Sequence, residues 1–405
     1  MIPETIKRPR YLDRISPHIG GDLIKVITGQ RRVGKSYLLY QIMDEIRRRS
    51  PDAAIVYINK ELHDYQEIRN DSDLIEYVRR KGGGAKPVRL FIDEIQEIAS
   101  FERAIRSLTA EGGYDIYVTG SNATLLSGEL ATLLSGRYVE IRVYGLSYPE
   151  FLVFHGLSDG PEAFSKYLRY GGLPYLRHLT LEDEIVFDYL INIYHTIVLK
   201  DVVARHGIRN VDFLERLTEF LADNIGNLFS AKRISDFLKS QRIRTSPNTV
   251  LTYLSYLTAA FFITKARRSA VGGRKIFEIG EKYYFEDLGL RNTIVGHEPR
   301  HIGRLLENAV FNHLQSAGYR VTVGQLGRKE IDFVCDRKGE RLYVQVAYLI
   351  PDERTHEREF GNLLAIQDNH EKLVLSMDEM ADGGQYKGVR HCHIRSFLAR
   401  HPEAE

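Results

Sequence analysis

At residues 29–36 the chain reads Gly29-Gln30-Arg31-Arg32-Val33-Gly34-Lys35-Ser36. The apolar run at 23–28 predicts a buried strand before this stretch, and residues 36–49 place apolar side chains at helical spacing after it. Two glycines let successive backbone N–H groups curl around phosphate oxygens, and the start of a helix adds partial positive charge. A chance match to this spacing rarely falls between a strand and an amphipathic helix. The stretch therefore predicts a phosphate-binding loop in an α/β domain.

The spacing of this loop is that of a P-loop NTPase, and it gives its residues different tasks. Lys35 is expected to reach the β- and γ-phosphates of ATP, and Ser36 to give its hydroxyl oxygen to Mg²⁺. The other residues expected to line the nucleotide are Gly29, Gln30, Arg31, Arg32, Val33, Gly34 and Tyr37. ATP and Mg²⁺ are therefore the predicted ligands.

A second predicted strand, residues 88–92, ends in two carboxylates, Asp93 and Glu94. They would lie at the carboxyl edge of the sheet, where open α/β folds bind ligands. In this Walker B arrangement Asp93 is expected to hold Mg²⁺ through water, and Glu94 to orient and polarise the attacking water. A solvated acidic turn is the alternative. The pair predicts hydrolysis as well as binding.

The next predicted strand, residues 114–118, leads into a polar stretch that can reach the γ-phosphate or the attacking water. Asn122 is the favoured sensor residue and Ser121 the second choice. Capping of the following helix explains either residue equally well.

A helix predicted over residues 123–135 is followed by Arg137 and a strand over 138–143. This order of parts resembles the AAA+ superfamily, in which an arginine finger precedes the fifth strand. The resemblance implies that Arg137 contacts the γ-phosphate bound by a neighbouring subunit, where it would stabilise transition-state charge. The alternative is a surface arginine paired with Glu140 or Asp93. A finger would require a homo-oligomer, for which a hexamer is one arrangement.

Further strings resemble a prokaryotic family of AAA-type ATPases, related to the archaeal and STAND ATPases, that carry a C-terminal domain of unknown function of the DUF 4143 type. The strings are Ile92–Gln96, Thr119–Ser121, Ser135–Arg137, Leu146–Ser147 with Glu150–Phe151, Tyr170–Pro174 and Tyr284–Leu290. In the wider clan of signal-transducing ATPases a Gly-x-Pro element touches the base or ribose, which implies a nucleotide contact for Pro174. A stiff turn between helices explains the same residues.

The chain is expected to continue from an ATPase domain (1–150) through a helical lid (151–210) into a winged-helix module (211–295). A helix begins at Ser246-Pro247 and is expected to bury Val250, Leu251, Leu254 and Leu257. Its polar face, Asn248, Thr249, Thr252 and Ser255, would then point outward as in a recognition helix. A basic wing would follow the DNA backbone through Lys265, Arg267, Arg268, Arg274 and Lys275. Subunit packing or a solvated lid extension is the alternative.

The order of elements over 296–405 resembles the restriction-endonuclease-like α/β core of the PD-(D/E)xK nucleases. The resemblance places Glu307 and Asp332 at a weak divalent-metal site. Gln345 and Ala347 stand where an acid and a lysine are required, so metal and water would be poorly held. A degenerate nuclease-like domain without cleavage is therefore expected.

The chain has 405 residues, 43% of them hydrophobic, with a formal net charge of +2. No apolar run is long enough for a membrane span and no signal peptide is evident, so a cytoplasmic protein without a membrane partner is expected. The combined prediction is an oligomeric ATPase that acts on DNA, including branched DNA. The alternatives are an ATP-dependent regulatory switch without motor activity and an ATP-gated nuclease.

Overall fold

A computed structural model describes residues 5–85, 87–126, 136–243, 245–271, 280–379 and 381–400. The chain divides into two compact units. The first comprises Met1–Tyr144 with Ala259–Phe261, and the second comprises Gly145–Thr258 with Phe262–Glu405. No helix in the described ranges is both long and apolar enough to cross a membrane.

The first unit is an α/β sandwich around a parallel sheet, which confirms the predicted fold class at that level. Its strands are β1 (Ile24–Thr28), β2 (Ile55–Asn59), β3 (Val88–Asp93), β4 (Tyr114–Gly120) and β5 (Tyr138–Arg142). Its helices are α1 (Pro9–Ile15), α2 (Lys35–Arg49), α3 (Asp71–Gly82) and α4 (Phe101–Glu111). The strand order is β2-β3-β4-β1-β5, so β4 lies between β1 and β3. All four neighbouring pairs are parallel, and helices α2, α3 and α4 carry the chain back between the strands from β1 to β4.

The predicted elements of the first unit lie close to the observed ones. Strand β1 is buried along its whole length, as its apolar run predicts. Helix α2 begins at Lys35, and β3 and β4 extend to Asp93 and Gly120. The helix predicted over 123–135 is a 3-10 turn at Ala123–Leu126 in its described part, and residues 127–135 lie outside the described ranges.

The second unit combines helices with a sheet of eight described strands. The helices are α5 (Tyr148–His155), α6 (Pro161–Tyr170), α7 (Asp183–Thr196), α8 (Val211–Asp223), α9 (Ala231–Ser240), α10 (Pro247–Ala259), α11 (Leu288–Val295), α12 (Ile302–Ser316), α13 (Glu353–Leu364) and α14 (Ile394–Leu398). A π-helix, Ile197–Ala204, follows α7 directly. The strands are β6 (Ile263–Ala270), β7 (Glu281–Phe285), β8 (Arg320–Leu326), β9 (Lys329–Arg337), β10 (Glu340–Val346), β11 (Glu371–Ser376), β12 (Gly384–Tyr386) and β13 (Val389–His393).

The sheet order in this unit is β12-β13-β11-β10-β9-β8-β6-β7. Strands β10, β11 and β13 run parallel, whereas β8, β9 and β10 form antiparallel pairs. The hairpin of β6 and β7 joins the sheet because β6 pairs with β8 at Arg268–Ala270. This sheet therefore spans the predicted boundary at residue 295.

Helix α10 corrects one expectation about burial. Val250, Leu254 and Leu257 are buried as predicted, but Leu251 is 50% exposed. A residue one position from Val250 is rotated by about 100° around the helix axis, and it therefore leaves the stripe that Val250 shares with Leu254 and Leu257. The exposed face of α10 thus contains Leu251 together with Asn248, Thr252 and Ser255.

Candidate nucleotide site

The loop between β1 and α2 lies at the carboxyl edge of the parallel sheet. Gly29 has φ 147°, and a Cβ atom at this position would lie 2.2 Å from the carbonyl oxygen of Val143. Gly34 has φ 94° and immediately precedes α2. Both positions require glycine, the first for close backbone approach and the second for its left-handed conformation. The glycine spacing is therefore explained by the shape of the loop.

Arg8 supports this loop from the N-terminal segment, a contact that no motif spacing predicts. Its guanidinium is buried and donates from one nitrogen to the carbonyl oxygens of Val33 and Tyr144, each at 3.1 Å. Its backbone N–H donates to the side-chain oxygen of Gln41 on α2 at 3.2 Å. Arg8 therefore ties the loop, the first helix turns after it and the end of the first unit together.

Lys35 is 4% exposed and lies inside the loop. Its ammonium group donates to the carbonyl oxygens of Gly29 and Gln30, each at 3.1 Å. It also forms an ion pair with Glu94, with 3.4 Å between Nζ and Oε1. The structure thus brings the predicted phosphate-binding lysine and the predicted catalytic carboxylate into direct contact.

Asp93 is 1% exposed at the end of β3 and has hydroxyl groups on several sides. Its carboxylate accepts hydrogen bonds from Ser36 and Thr119, and from Tyr57 at 3.4 Å. Burial raises the pKa of Asp93, while the bonds from Ser36 and Thr119 act in the opposite direction. A hydroxyl beside a carboxylate offers the hard oxygen ligands that Mg²⁺ prefers, so Ser36 and Asp93 fit the ion.

Glu94 has φ 55°, a left-handed conformation that turns its side chain back toward the loop. Its backbone N–H donates to the hydroxyl of Thr119 at 2.9 Å, and its carboxylate accepts from Gln96. Burial alone would raise the pKa of Glu94, but Lys35 and the Gln96 bond hold it at about 2. Glu94 is therefore ionised at neutral pH.

Thr119 links the carboxylate of Asp93 to the backbone of Glu94, whereas the sequence favoured Ser121 and Asn122, which follow it. Its hydroxyl accepts from the Glu94 N–H and donates to Asp93. The favoured sensor residues, Ser121 and Asn122, are both 1% exposed, and Ser121 also lowers the pKa of Glu94. The sequence signals for Thr119 were its place at the end of β4 and the string Thr119–Ser121.

The remaining loop residues differ in their surroundings. Arg31 is buried and pairs with Glu61 at 3.1 Å. Arg32 is exposed with φ 70°, and Tyr37 is 50% exposed. Gln30 is 2% exposed, and its side-chain amide makes no hydrogen bond to the described part of the chain.

Arg137 is exposed just before β5, at the amino edge of the sheet. Its backbone carbonyl accepts from the N–H of Ile24, the first residue of β1. Glu140 instead accepts from the Thr28 hydroxyl at 2.6 Å, and among the described residues Arg137 forms no ion pair. The pairing with Glu140 or Asp93 that was the alternative is therefore not seen.

Pro174 begins a 3-10 helix in the second unit, Pro174–His178. The glycine before it in the Gly-x-Pro element, Gly172, packs on the chain at Leu146, whose N–H donates to the Gly172 carbonyl at 2.6 Å. A Cβ atom on Gly172 would lie 2.5 Å from the Leu146 carbonyl oxygen. Close packing thus accounts for this glycine.

The candidate DNA residues are only partly described. Arg267 is exposed, Arg268 is half-buried and Lys265 pairs with Glu281 at 3.0 Å. Arg274 and Lys275 lie outside the described residues.

The candidate metal residues of the second unit, Glu307 and Asp332, lie close together around a third residue, Lys282. Within the described ranges no group of three or more His, Cys, Asp and Glu side chains is arranged to hold a metal ion.

Two family models match the chain. Residues 22–152 match an AAA domain, and residues 161–301 match a domain of unknown function, DUF8612. The first unit therefore contains a P-loop domain of the AAA type. The expectation of a DUF 4143 domain was wrong, because the matching domain is DUF8612 and lies in the middle of the chain.

A relative from Haemophilus influenzae, an uncharacterized protein, is 39% identical over 383 residues, which are 93% of this chain and 94% of the relative. The chain belongs to the family of this protein. Another relative, the uncharacterized protein MJ1544 of Methanocaldococcus jannaschii, is 29% identical over 375 residues, covering 88% of this chain and 81% of the relative.

Two solved structures resemble the chain at lower sequence identity than these relatives. The Walker-type ATPase PABY2304 of Pyrococcus abyssi aligns with a TM-score of 0.45 and 16% identity, over 71% of this chain and 94% of that one. The ORC1 protein of Aeropyrum pernix, solved in complex with DNA, aligns with a TM-score of 0.33 and 14% identity, over 75% of this chain and 96% of that one.

Proposed function

We propose that the protein hydrolyses ATP to ADP and phosphate. The observation that carries this proposal is the convergence of Lys35, Ser36, Asp93 and Glu94 at one edge of the sheet, where they are linked by hydrogen bonds and an ion pair. Such a set supplies phosphate binding, metal ligands and a water-orienting carboxylate together.

Each residue contributes a separate part of the reaction. Mg²⁺ held near Ser36 and Asp93 would neutralise charge on the phosphates. Lys35 would bind the β- and γ-phosphates in exchange for its contact with Glu94, which frees that carboxylate. Glu94, once released from Lys35, would orient and polarise the attacking water.

The active form is proposed to be a homo-oligomer. Strand β5 runs parallel to β1, so Arg137 and the phosphate-binding loop lie at opposite edges of one sheet. About 13 Å of strand separates Ile24, beside Arg137, from Thr28 at the loop. An arginine at the far edge suits the phosphates of an adjacent subunit better than those of its own, which supports the finger role.

DNA is the proposed target of the second unit. We propose in addition that this unit contains a winged-helix module and a nuclease-like domain. Residues 241–246 separate helices α9 and α10, and α10 exposes Asn248, Thr252 and Ser255. Amide and hydroxyl groups of this kind contact base edges and phosphates. ATP-driven movement would then be coupled to DNA.

The hydrolysis proposal is tested with two loop-site variants and a control. Lys35→Ala should lose ATP binding or turnover, because the phosphate-binding charge is removed. Glu94→Gln should retain bound ATP while turnover falls by about 100-fold or more. Glu97→Gln, a change at an exposed carboxylate nearby, should behave as wild type. Normal hydrolysis by both site variants would refute the assignment.

The DNA proposal is tested separately by neutralising Arg267, Arg274 and Lys275 to Gln. Binding of single-stranded, duplex and branched DNA should weaken, and the slope of log affinity against log salt should fall by about 0.9 for each phosphate that the variant no longer neutralises. A control that neutralises the first-unit arginines Arg80, Arg103 and Arg106 should keep the wild-type slope. DNA binding that is absent or insensitive to salt would reject the proposal.

A further inference from the structure

The two residues that resemble nuclease metal ligands surround a buried ammonium group. Lys282 on β7 is 3% exposed. Its Nζ atom lies 2.9 Å from Glu307 Oε1, 2.9 Å from Glu330 Oε1 and 3.7 Å from Asp332 Oδ1. The three carboxylates come from α12 and β9, and the ammonium comes from the neighbouring hairpin. The ammonium group of Lys282 thus lies among the three carboxylates.

The polar atoms around Lys282 already have partners within the chain. Glu307 Oε1 also accepts from the Tyr284 hydroxyl at 2.6 Å, and Asp332 Oδ2 accepts from the Val346 N–H at 2.9 Å. The side-chain oxygen of Gln345, which stands where nucleases have an acid, accepts from the Asp332 N–H at 3.3 Å. A divalent ion would have to displace these bonds as well as the ammonium group.

Backbone covers the same carboxylate from another side. Gly226, in the turn after α8, approaches Glu307 so closely that a Cβ atom on this glycine would lie 2.9 Å from Oε2. The turn at Gly226 therefore covers Oε2 of Glu307, whereas the Glu330 side chain keeps 34% of its surface exposed. Packing thus adds to the charge of Lys282 in limiting the room beside Glu307.

The acidic groups around Lys282 hold its ammonium group in the charged form. Burial alone would lower the pKa of Lys282, but the three carboxylates raise it above its ordinary value. Burial and the charge of Glu307 raise the pKa of Asp332, and Lys282 acts in the opposite direction. A group of acids around one buried cation is stable only while that cation is present.

We infer that the ammonium group of Lys282 takes the place of a divalent metal in this nuclease-like site, which is thereby an internal joint between β7, α12 and β9. The residues do not fit a metal, and the site neither binds one nor cuts nucleic acid. This inference rests on the proposed nuclease-like assignment and is independent of ATP hydrolysis. It removes the basis for an ATP-gated nuclease.

The test measures Mn²⁺ binding to the full chain without nucleotide. The electron paramagnetic resonance signal of free Mn²⁺ reports how much of the ion remains unbound. Wild type should show no site that depends on Asp332. Lys282→Met should gain a site for about one Mn²⁺ per chain, because the carboxylates can then turn toward the ion. Adding Asp332→Asn should abolish the gain. Lys265→Met, which removes an ion-paired lysine on the adjacent strand, should gain nothing.

A second variant keeps the test decisive if Lys282→Met fails to fold. Combining it with Glu330→Gln removes one uncompensated charge and leaves Glu307 and Asp332 as ligands. A folded variant of either kind that takes up no Mn²⁺ would overturn the inference. So would a wild-type Mn²⁺ site, or Mn²⁺-dependent DNA cleavage, that is lost on Asp332→Asn. ATPase assays on the same proteins report separately on the proposed hydrolysis.

Discussion

The carboxylate of Asp287 accepts a hydrogen bond from the backbone N–H of Gly172 at 2.7 Å. The same side chain caps α11 by accepting from the Leu290 N–H at 2.9 Å. Burial raises the pKa of Asp287 to about 6, against the opposing effect of its N–H donors. Two separate strings, residues 170–174 and 284–290, therefore form one joint inside the second unit.

This joint predicts a large effect of one methyl group at Gly289. Its Cβ atom would lie 2.0 Å from the carbonyl oxygen of Tyr170, and backbone cannot move aside as a flexible side chain can. Gly289→Ala should lower the free energy of unfolding by about 2 kcal/mol or more, measured by urea denaturation. Gly303→Ala in helix α12 is the matched control, since a Cβ atom on Gly303 would have its nearest neighbour, the Cβ atom of Tyr348, 4.0 Å away. Gly303→Ala should raise the free energy of unfolding by about 0.5–1 kcal/mol. Equal effects of the two changes would show that close packing at Gly289 does not stabilise the second unit.

The bridge formed by Thr119 predicts a combined loss of stability and turnover. Thr119→Val keeps the shape of the buried side chain but leaves the Glu94 N–H without its acceptor and removes one of the hydroxyl donors to Asp93. Unfolding should become easier by about 1–3 kcal/mol, and the ATPase kcat should fall more than ATP affinity. Thr109→Val removes a hydroxyl that bonds only to a carbonyl of its own helix, at Ile105, and should alter neither kcat nor ATP affinity. Unchanged kcat in Thr119→Val would exclude a role in placing Glu94.

Local patterns were sufficient to predict five elements of the first unit, namely β1, α2, β3, β4 and β5. A buried strand such as β1 and an amphipathic helix such as α2 are encoded by neighbouring residues, and so is the loop between them. The convergence of Asp93 with Ser36 also followed, because parallel strands end at a common edge. Leu251 was misplaced because it was assigned to the same face as its neighbour Val250, although adjacent residues of a helix point in directions about 100° apart.

Contacts between distant segments could not be predicted in this way. Arg8 reaches Val33, and Lys282 reaches Glu307, only after the chain has packed, and no spacing joins either pair. The sequence showed that Gln345 and Ala347 depart from the nuclease pattern. It did not show that a lysine from another strand fills the site.

A half-buried histidine predicts how stability depends on pH. His155 packs on Phe151, and burial together with Arg177 lowers its pKa to about 4. The unfolded chain therefore takes up a proton at this residue near pH 6.5, before the folded chain does, so stability is lost as pH falls from about 6.5 to 4. His155→Phe should reduce the difference in unfolding free energy between about pH 7.5 and pH 5 by about 1–2 kcal/mol. His63→Phe, at an exposed site, should leave that difference unchanged. A wild-type pH dependence in His155→Phe would show that this imidazole does not contribute.

The opposite positions of Arg137 and the phosphate-binding loop predict complementation between two inactive variants. Arg137→Ala should keep ATP affinity and lose multiple-turnover hydrolysis, by about 100-fold or more. Lys35→Ala lacks a working loop but carries an intact arginine. In an equal mixture of the two, about a quarter of the interfaces in a closed ring would join a working loop to an intact arginine.

The mixture should therefore recover up to about a quarter of the wild-type rate, after subunits have been allowed to exchange. Arg103→Ala, which removes an exposed arginine on α4, should be active alone. Particle mass with and without ATP identifies the assembly in which exchange takes place. Activity of Arg137→Ala equal to wild type would favour a monomeric switch. Two inactive variants that form mixed oligomers without any recovery would show that Arg137 does not act on a neighbour's ATP.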